Sequence, residues 1–282
     1  MKNSRTLSYI FIFLVYLLAT AVAVVTFKIL PLESVYIKVL IADIVATVLT
    51  FAFSLIVKNA SVYDPYWSIQ PIVIALFFVF TNTITPLALL MLIAVCLWGA
   101  RLTANWAYTF KGLNHQDWRY TMLKKKTGKL YPFVNFLGIH LFPTIVVYLC
   151  ALPIINIIIN QYQLNAFSVI FFALSIIAVC LQTLSDIEMQ KFRKTRPTTF
   201  IRTGLWKYSR HPNYLGEILM WWGIAGMLFS VNTSLWYLCG GALLNTLMFL
   251  FISIPMAENR QAEKEGYAKY RKQTRSLWPI KK

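Results

Sequence analysis

Long apolar runs fill most of this 282-residue sequence and limit what it can fold into. A helix needs about 20 residues to cross the hydrocarbon core of a bilayer, and most of the runs reach that length. Charged residues make up only 13% of the chain, against about 25% in a soluble domain. The runs are Leu7–Leu30, Val35–Val57, Ser68–Phe80, Ile84–Ala100, Phe133–Ile159, Ala166–Ser185, Tyr214–Phe229 and Ser234–Pro255. We therefore predict an all-α polytopic membrane helix bundle of seven or eight transmembrane helices, seven if the short third run is re-entrant.

The distribution of charge predicts how the bundle is oriented. The chain has 27 Lys+Arg against 10 Asp+Glu, which in a soluble protein suggests nucleic acid. Here the basic residues collect at 101–129, 191–210 and 260–282, whereas the turns near Asn82 and Asn160 have none. This is the positive-inside pattern of membrane proteins. We expect cytosolic basic loops and termini, contact with membrane lipid, and no nucleic-acid partner. A basic cytosolic face also suits a phosphorylated cofactor. The sequence has no Cys/His cluster, so no metal site is indicated.

The stretch 185–194 closes the sixth apolar run with several polar residues. Asp186, Gln190 and Arg193 stand at i, i+4 and i+7, so they share one face of a helix. An acid at the end of a span needs a specific partner. The alternative is a charged collar whose Lys and Arg side chains reach the lipid head groups.

A second polar stretch precedes the seventh apolar run. Arg210 and His211 come directly before Pro212, which suits a first helical turn, where free backbone N–H groups attract an anion. Asn213 and Glu217 are four residues apart and project on one face. Because an unpaired carboxylate in an apolar helix is costly, Glu217 needs a donor. The donor is either an amide group of a bound ligand or a group of the protein itself, Arg210 or a Trp N–H.

These residues carry a family resemblance. The run Arg210-His211-Pro212-Asn213-Tyr214-Leu215-Gly216-Glu217, with Asp186 and Phe192-Arg193 upstream, resembles the C-terminal domain of steroid 5-alpha-reductases, and most of all their uncharacterised bacterial membrane branch. Sterol C14-reductases are similar more distantly. The closing pattern Pro255, Glu258, Tyr267, Tyr270, Pro279 is also similar. The likeness covers about residues 164–280, and 62–67 is reminiscent of the bacterial branch.

The resemblance implies an NADPH-dependent membrane reductase of a carbon–carbon double bond conjugated to a carbonyl in a lipophilic, steroid-like or lipid substrate. It implies a bacterial inner-membrane location and a single domain over 1–282, in which 1–100 supply lipid-side helices and 164–280 the cofactor-binding half. No protein partner is indicated. The resemblance gives cofactor-binding roles to Asp186, Gln190, Arg193, Arg210, His211, Asn213, Tyr214, Glu217, Glu258, Tyr267 and Tyr270. Gln190 stands where animal enzymes carry Arg, which leaves the choice between NADPH and NADH open.

Within this scheme Asp186 and Arg193 hold the adenosine and phosphate portion, and Asn213 and Glu217 meet the nicotinamide. A conjugated enone accepts hydride when its carbonyl oxygen is stabilised as negative charge builds. The N-terminal half must supply that donor. Tyr63, Asp64 and Tyr66 are the candidate catalytic residues, with Asp43 behind them.

A different enzyme class shares part of the pattern. Isoprenylcysteine carboxyl methyltransferases carry Arg-His-Pro-x-Tyr-x-Gly before a span and a Glu near the end of the last span, where they bind S-adenosylmethionine. The matching residues here are Arg210, His211, Pro212, Tyr214, Gly216 and Glu258. The shared face of Asp186 and Arg193, together with Asn213, favours reduction over methyl transfer.

Overall fold

Helices joined by loops make up the described chain, and its described residues contain no strand. The computed structural model describes residues 4–196 and 198–279, so Lys281 and Lys282 of the third basic region lie outside it. Eight helical runs are long and apolar enough to span a membrane: α1 (Arg5–Ile29), α2 (Val35–Ile56), α3 (Ala60–Thr81), α4 (Pro86–Thr109), α5 (Trp118–Asn160), α6 (Ala166–Thr195), α7 (Pro212–Val231) and α8 (Thr233–Ala262). A short helix, α9 (Tyr267–Gln273), follows. The predicted all-α polytopic bundle is confirmed, and the third run is a 22-residue helix long enough to span.

Polar residues at the helix starts explain where several spans begin. The hydroxyls of Ser4 and Ser34 accept from the backbone N–H groups of Leu7 and Ile37. Asn165 caps α6 by accepting from the N–H of Ser168 at 2.8 Å. Each cap satisfies an N–H that has no partner inside its helix.

Helix α5 joins the end of the basic region 101–129 to the apolar run Phe133–Ile159. Its basic first part, Trp118–Thr127, ends at Gly128, whose φ of 51° lies in the left-handed region. A 3₁₀ turn and a π-helical segment, Asn135–Leu141, then lead into the apolar part, Phe142–Asn160. The basic segment therefore continues directly into a membrane-spanning helix.

Helices α6 and α7 form the most extensive helix pair in the bundle. They approach closely at Gly216, where an added Cβ would lie 2.5 Å from Cγ of Gln182 and 2.8 Å from the carbonyl oxygen of Ala178. Because α6 carries Asp186 and α7 carries Asn213, this packing sets the two polar motifs side by side.

The C-terminal segment folds back on the loop before α7. The N–H groups of Arg210 and His211 donate to the carbonyls of Arg275 and Ser276 at 3.0 and 3.1 Å. The hydroxyl of Tyr270 in α9 donates to the carbonyl of Trp206. The segment that follows α8 is thereby fixed against the end of the bundle where α6 ends and α7 begins.

Candidate functional site

A large cavity of about 1980 Å³ opens at the end of the bundle where the basic loops meet. Residues from all three basic regions line it, which places these regions at one end of the molecule. Three aspartates line the same cavity. The basic residues on its wall are Arg5, Lys111, Arg119, Lys125, Lys126, Arg193, Lys194, Arg210, Arg260 and Lys264. Ten cations against three acids favour an anionic ligand in this cavity.

The polar face at the end of α6 lies on the wall of this cavity. Asp186 accepts from Nη1 of Arg101 at 2.8 Å and from Nδ2 of Asn213 at 3.4 Å. Gln190 donates to the side-chain oxygen of Asn105. Arg193, one turn further, also lines the cavity. The geometry brings these predicted residues together with Asn213 of α7, while their roles toward a cofactor stay predictions.

Arg210 and His211 are held by Glu258 of α8. Nε and Nη2 of Arg210 donate to Oε1 of Glu258 at 2.8 and 2.6 Å, and Nε2 of His211 lies 3.2 Å from the same oxygen. Arg271 pairs with the other oxygen at 3.1 Å. The charge of Arg210 is thus already matched by Glu258, although Arg210 and His211 both line the cavity. Glu258 itself is not among the cavity-lining residues.

Burial dominates the electrostatics of His211. Its imidazole stacks on the ring of Tyr214, with centroids 5.2 Å apart. Removal from water lowers the pKa of His211, and the nearby Glu258 carboxylate opposes that shift without cancelling it. His211 is therefore neutral near pH 7 and can donate one hydrogen bond to Glu258.

Glu217 lies inside the bundle, outside the cavity lining. Its Oε2 accepts from the indole N–H of Trp98, and its Oε1 from that of Trp221, both at 2.9 Å. Of the three donors expected from the sequence (a bound amide group, Arg210 or a Trp N–H), the structure shows the tryptophan N–H. Each oxygen keeps a second lone pair, so the assigned contact with a nicotinamide stays a prediction.

Tyr267 and Tyr270 lie on the cavity wall, as does Tyr214. Burial raises the pKa of Tyr267 and of Tyr270, so both phenols stay protonated near neutral pH. The ring of Phe200 lies 5.2 Å from that of Tyr267. These aromatic side chains form the wall nearest the C-terminal segment.

The three candidate catalytic residues have different surroundings, although the rings of Tyr63 and Tyr66 stack with centroids 5.2 Å apart. Asp64 lines the cavity and accepts from the hydroxyl of Tyr120 at 2.6 Å. Tyr63 is buried in the core, with its hydroxyl 2.8 Å from that of Thr144. Tyr66 faces a narrow groove between α1, α2 and α3, where it donates to Asp43 at 2.8 Å. Asp64 is the one candidate of the three that meets the cavity.

Several residues of the site did not emerge from the sequence motifs. Arg101, the partner of Asp186, is the one basic residue within α4, which is the signal that marks it. Arg260 lies near the end of α8 and Lys264 in the turn that follows it, and both line the cavity. Trp118 lies beneath Arg260, with the guanidinium carbon 4.3 Å from the ring centroid.

Comparison with known proteins places the chain in a family. A family model described as "Protein of unknown function (DUF1295)" matches residues 50–274. A curated relative, the "Uncharacterized protein C594.04c" of the fission yeast Schizosaccharomyces pombe, is 29% identical over 245 residues, which cover 76% of this chain and 69% of the relative. No solved structure matches. The chain is a multi-pass membrane protein that belongs to the DUF1295 family.

Proposed function

We propose that this protein is a membrane-embedded NAD(P)H-dependent reductase of a carbon–carbon double bond conjugated to a carbonyl in a lipophilic substrate. The observation that carries the proposal is the strongly cationic cavity, on whose wall Asp186 and Asn213 meet and which Arg193 also lines. The resemblance of 186–217 to steroid 5-alpha-reductases supplies the reaction type. The excess of basic residues supplies the reason to expect a phosphorylated cofactor.

The residues on the wall fit a dinucleotide. The diphosphate requires cations, and Arg193, Arg260 and Lys264 have no carboxylate within 4.0 Å in the described part of the chain. Ribose and carboxamide groups donate hydrogen bonds. Buried acceptor oxygens without a partner in residues 4–196 and 198–279 include Oδ1 of Asn213 and Oε1 of Gln261, both from cavity-lining residues. Both features together suit a nucleotide ligand.

The volume and the inner wall of the cavity suit a second, apolar molecule. Sites for one small molecule usually measure about 300–1,000 Å³, and this cavity is larger. Apolar side chains from α3, α4 and the following loop line it, namely Trp67, Leu102, Trp106 and Phe110. A lipophilic substrate would lie against these rings, beside the polar wall that would hold the dinucleotide.

The chemistry divides between cofactor and protein. When bound, NAD(P)H would supply a hydride to the β carbon of the substrate and become NAD(P)⁺, and a proton from solvent would complete the reduction at the α carbon. Asn213 would accept from the carboxamide and so orient the ring, while Arg193 would hold phosphate. Asp64 of α3 lines the cavity and accepts a hydrogen bond from the hydroxyl of Tyr120 of α5. They are the candidates to stabilise the substrate carbonyl, and Tyr66 with Asp43 is the alternative pair.

The second candidate function is S-adenosylmethionine-dependent methyl transfer of the isoprenylcysteine carboxyl methyltransferase type. It is favoured by the cluster of Arg210, His211 and Glu258, which brings the residues of that sequence pattern into contact. However, S-adenosylmethionine carries a positive sulfonium and no phosphate. Ten cations on the cavity wall suit it less well than they suit a dinucleotide.

Cofactor-dependent stabilisation separates the two functions. Detergent-purified protein would be melted alone and with NADPH, NADH or S-adenosylmethionine. A ligand at 100 times its Kd stabilises the folded state by about 2.7 kcal/mol. We expect a higher melting temperature with a nicotinamide dinucleotide. Stabilisation by S-adenosylmethionine alone would replace the reductase with the methyltransferase, and no stabilisation by any of the three would reject both.

A further inference from the structure

Three cations on the cavity wall have no carboxylate in contact with them in the described part of the chain. Arg193 comes from the end of α6, Arg260 from the end of α8, and Lys264 from the turn that follows. All three line the cavity. Glu263 and Glu265 flank Lys264 in the sequence, yet no carboxylate within the described ranges lies within 4.0 Å of any of the three.

Contacts with neutral groups hold two of these cations in place. The guanidinium of Arg260 lies over the indole of Trp118, at 4.3 Å from its centroid. The ammonium of Lys264 donates to the carbonyl of Thr199 at 2.8 Å. Neither contact neutralises charge. The positive groups are therefore positioned by the fold and left available for an anion.

The three cations that line this cavity are close enough to repel one another. Burial lowers the pKa of Lys264, and the nearby Arg260 and Arg193 lower it further by repulsion. A bound anion would relieve this repulsion. Three cations suit a phosphate monoester, which carries about −1.5 to −2 near pH 7.

We infer that Arg193, Arg260 and Lys264 form a phosphate-monoester site on the wall of the cavity. Resting on the proposed reductase function, the inference further assigns this site to the 2′-phosphate that distinguishes NADPH from NADH. The seven residues from Asp186 to Arg193 rise about 10 Å along α6. The cluster thus lies toward the end of the helix, away from the Asp186–Asn213 contact.

The position of the cluster also answers the question raised by Gln190. The side-chain amide of Gln190 is bonded to Asn105, so it adds no charge to the wall. Arg260 and Lys264, from a different part of the chain, supply two cations near Arg193. A preference for NADPH therefore does not require a basic residue at position 190.

The test compares ligands that differ only in this phosphate. Binding of NADPH, NADH, 2′,5′-ADP and 5′-AMP would be measured for the purified full-length chain and for Arg260→Ala, Lys264→Ala and Lys264→Arg. We expect Arg260→Ala and Lys264→Ala each to weaken NADPH and 2′,5′-ADP about 10-fold, while NADH changes less than about 2-fold. Lys264→Arg keeps the charge and should keep most of the preference. Lys125→Ala, which removes an exposed cation from another part of the same cavity, is the matched control and should alter both dinucleotides equally.

The outcomes separate this inference from the proposed function. Equal affinity of the wild type for NADPH and NADH, or equal loss of both in the variants, overturns the inference and leaves the reductase proposal standing. Binding of 2′,5′-ADP that depends on Arg260 without binding of either dinucleotide supports a phosphate-monoester site but rejects the reductase and, with it, the assignment to NADPH. Absence of binding by all four ligands rejects both.

Discussion

Glu217 shows how a carboxylate is accommodated inside this apolar bundle. Two tryptophans from different helices, Trp98 of α4 and Trp221 of α7, each donate an indole N–H to it. Their rings also pack against each other, with centroids 4.7 Å apart. The three side chains connect two helices through hydrogen bonds that would be costly to leave unmade.

Replacing Glu217 by glutamine is expected to destabilise the protein by about 1–3 kcal/mol. Glutamine offers one acceptor oxygen instead of two, and its NH₂ group would face an indole N–H. Thermal unfolding in detergent measures the effect, with the exposed Glu263→Gln as the control that should change stability by less than about 0.5 kcal/mol. Equal melting temperatures for the two variants would show that the indole contacts carry no stability.

His211 should make stability depend on pH below about 6.5. Its pKa is lowered in the folded protein, so the unfolded chain takes up a proton at a pH where the folded chain does not. Stability is thus fully present above the unfolded pKa and falls as pH drops toward the folded one, by at most about 1.4 kcal/mol per pH unit. Melting curves from pH 7.5 to 5 should show a shallower fall for His211→Gln. The exposed His115→Gln should retain the wild-type slope, and an unchanged slope in both variants would contradict the expectation.

For single residues, the sequence predicts which side chains share a face of one helix better than it predicts contacts between two helices. The helical period places Asp186, Gln190 and Arg193 on one face, and all three line the cavity. The partner of Asp186, however, is Arg101, 85 residues earlier. No periodicity reports such a contact, because it depends on how α4 packs against α6.

At the scale of helices, the site depends on the close contact between α6 and α7. Gly216 permits that contact because its position has no room for a Cβ between Gln182 and Ala178. The sequence contains this glycine within the Arg-His-Pro motif but cannot show what it faces. Likewise, the apolar run 68–80 underestimates the third span, since its first turns contain Tyr63, Asp64 and Tyr66, whose polar atoms are satisfied by hydrogen bonds inside the bundle.

Gly216→Ala should cost about 1–3 kcal/mol through overpacking and should also weaken dinucleotide binding, because it pushes Asp186 and Asn213 apart. Gly240 offers a matched control. Nothing lies within 4 Å of a Cβ added there, and its φ of −56° is helical. Gly240→Ala should therefore leave stability unchanged or raise it by up to about 1 kcal/mol. If Gly216→Ala melts like Gly240→Ala, the contact between the two helices is looser than the structure indicates.

For the whole molecule, the separation of charge along the bundle determines the expected orientation. The basic loops meet around one cavity, whereas the turns at Asn82 and Asn160 lie at the other ends of their spans. The sequence predicts this arrangement because loop charge is a property of composition. It does not predict the cavity, which depends on helix packing and on the C-terminal segment folding back.

Single cysteines would test the orientation in membrane vesicles. The four native cysteines, Cys96, Cys150, Cys180 and Cys239, lie within the spans, where a membrane-impermeant maleimide has poor access. Lys125→Cys should react from the cytosolic side and Asn160→Cys from the opposite side. Labelling of both positions from the same side would contradict eight spans with a cytosolic basic end.

The basic cavity is expected to bind a nicotinamide dinucleotide, and equilibrium dialysis of NADPH against the purified protein measures that binding. We expect one saturable site per chain. The affinity for NADPH should fall with rising salt, because salt screens the ten cavity cations. It should drop at least about 10-fold in Arg193→Ala, which removes a charge-assisted contact with phosphate. S-adenosylmethionine should not change it. The proposed dinucleotide site would be contradicted if NADPH showed no saturable binding up to about 1 mM, a Kd that corresponds to only about −4 kcal/mol. Displacement of NADPH by S-adenosylmethionine would also contradict it.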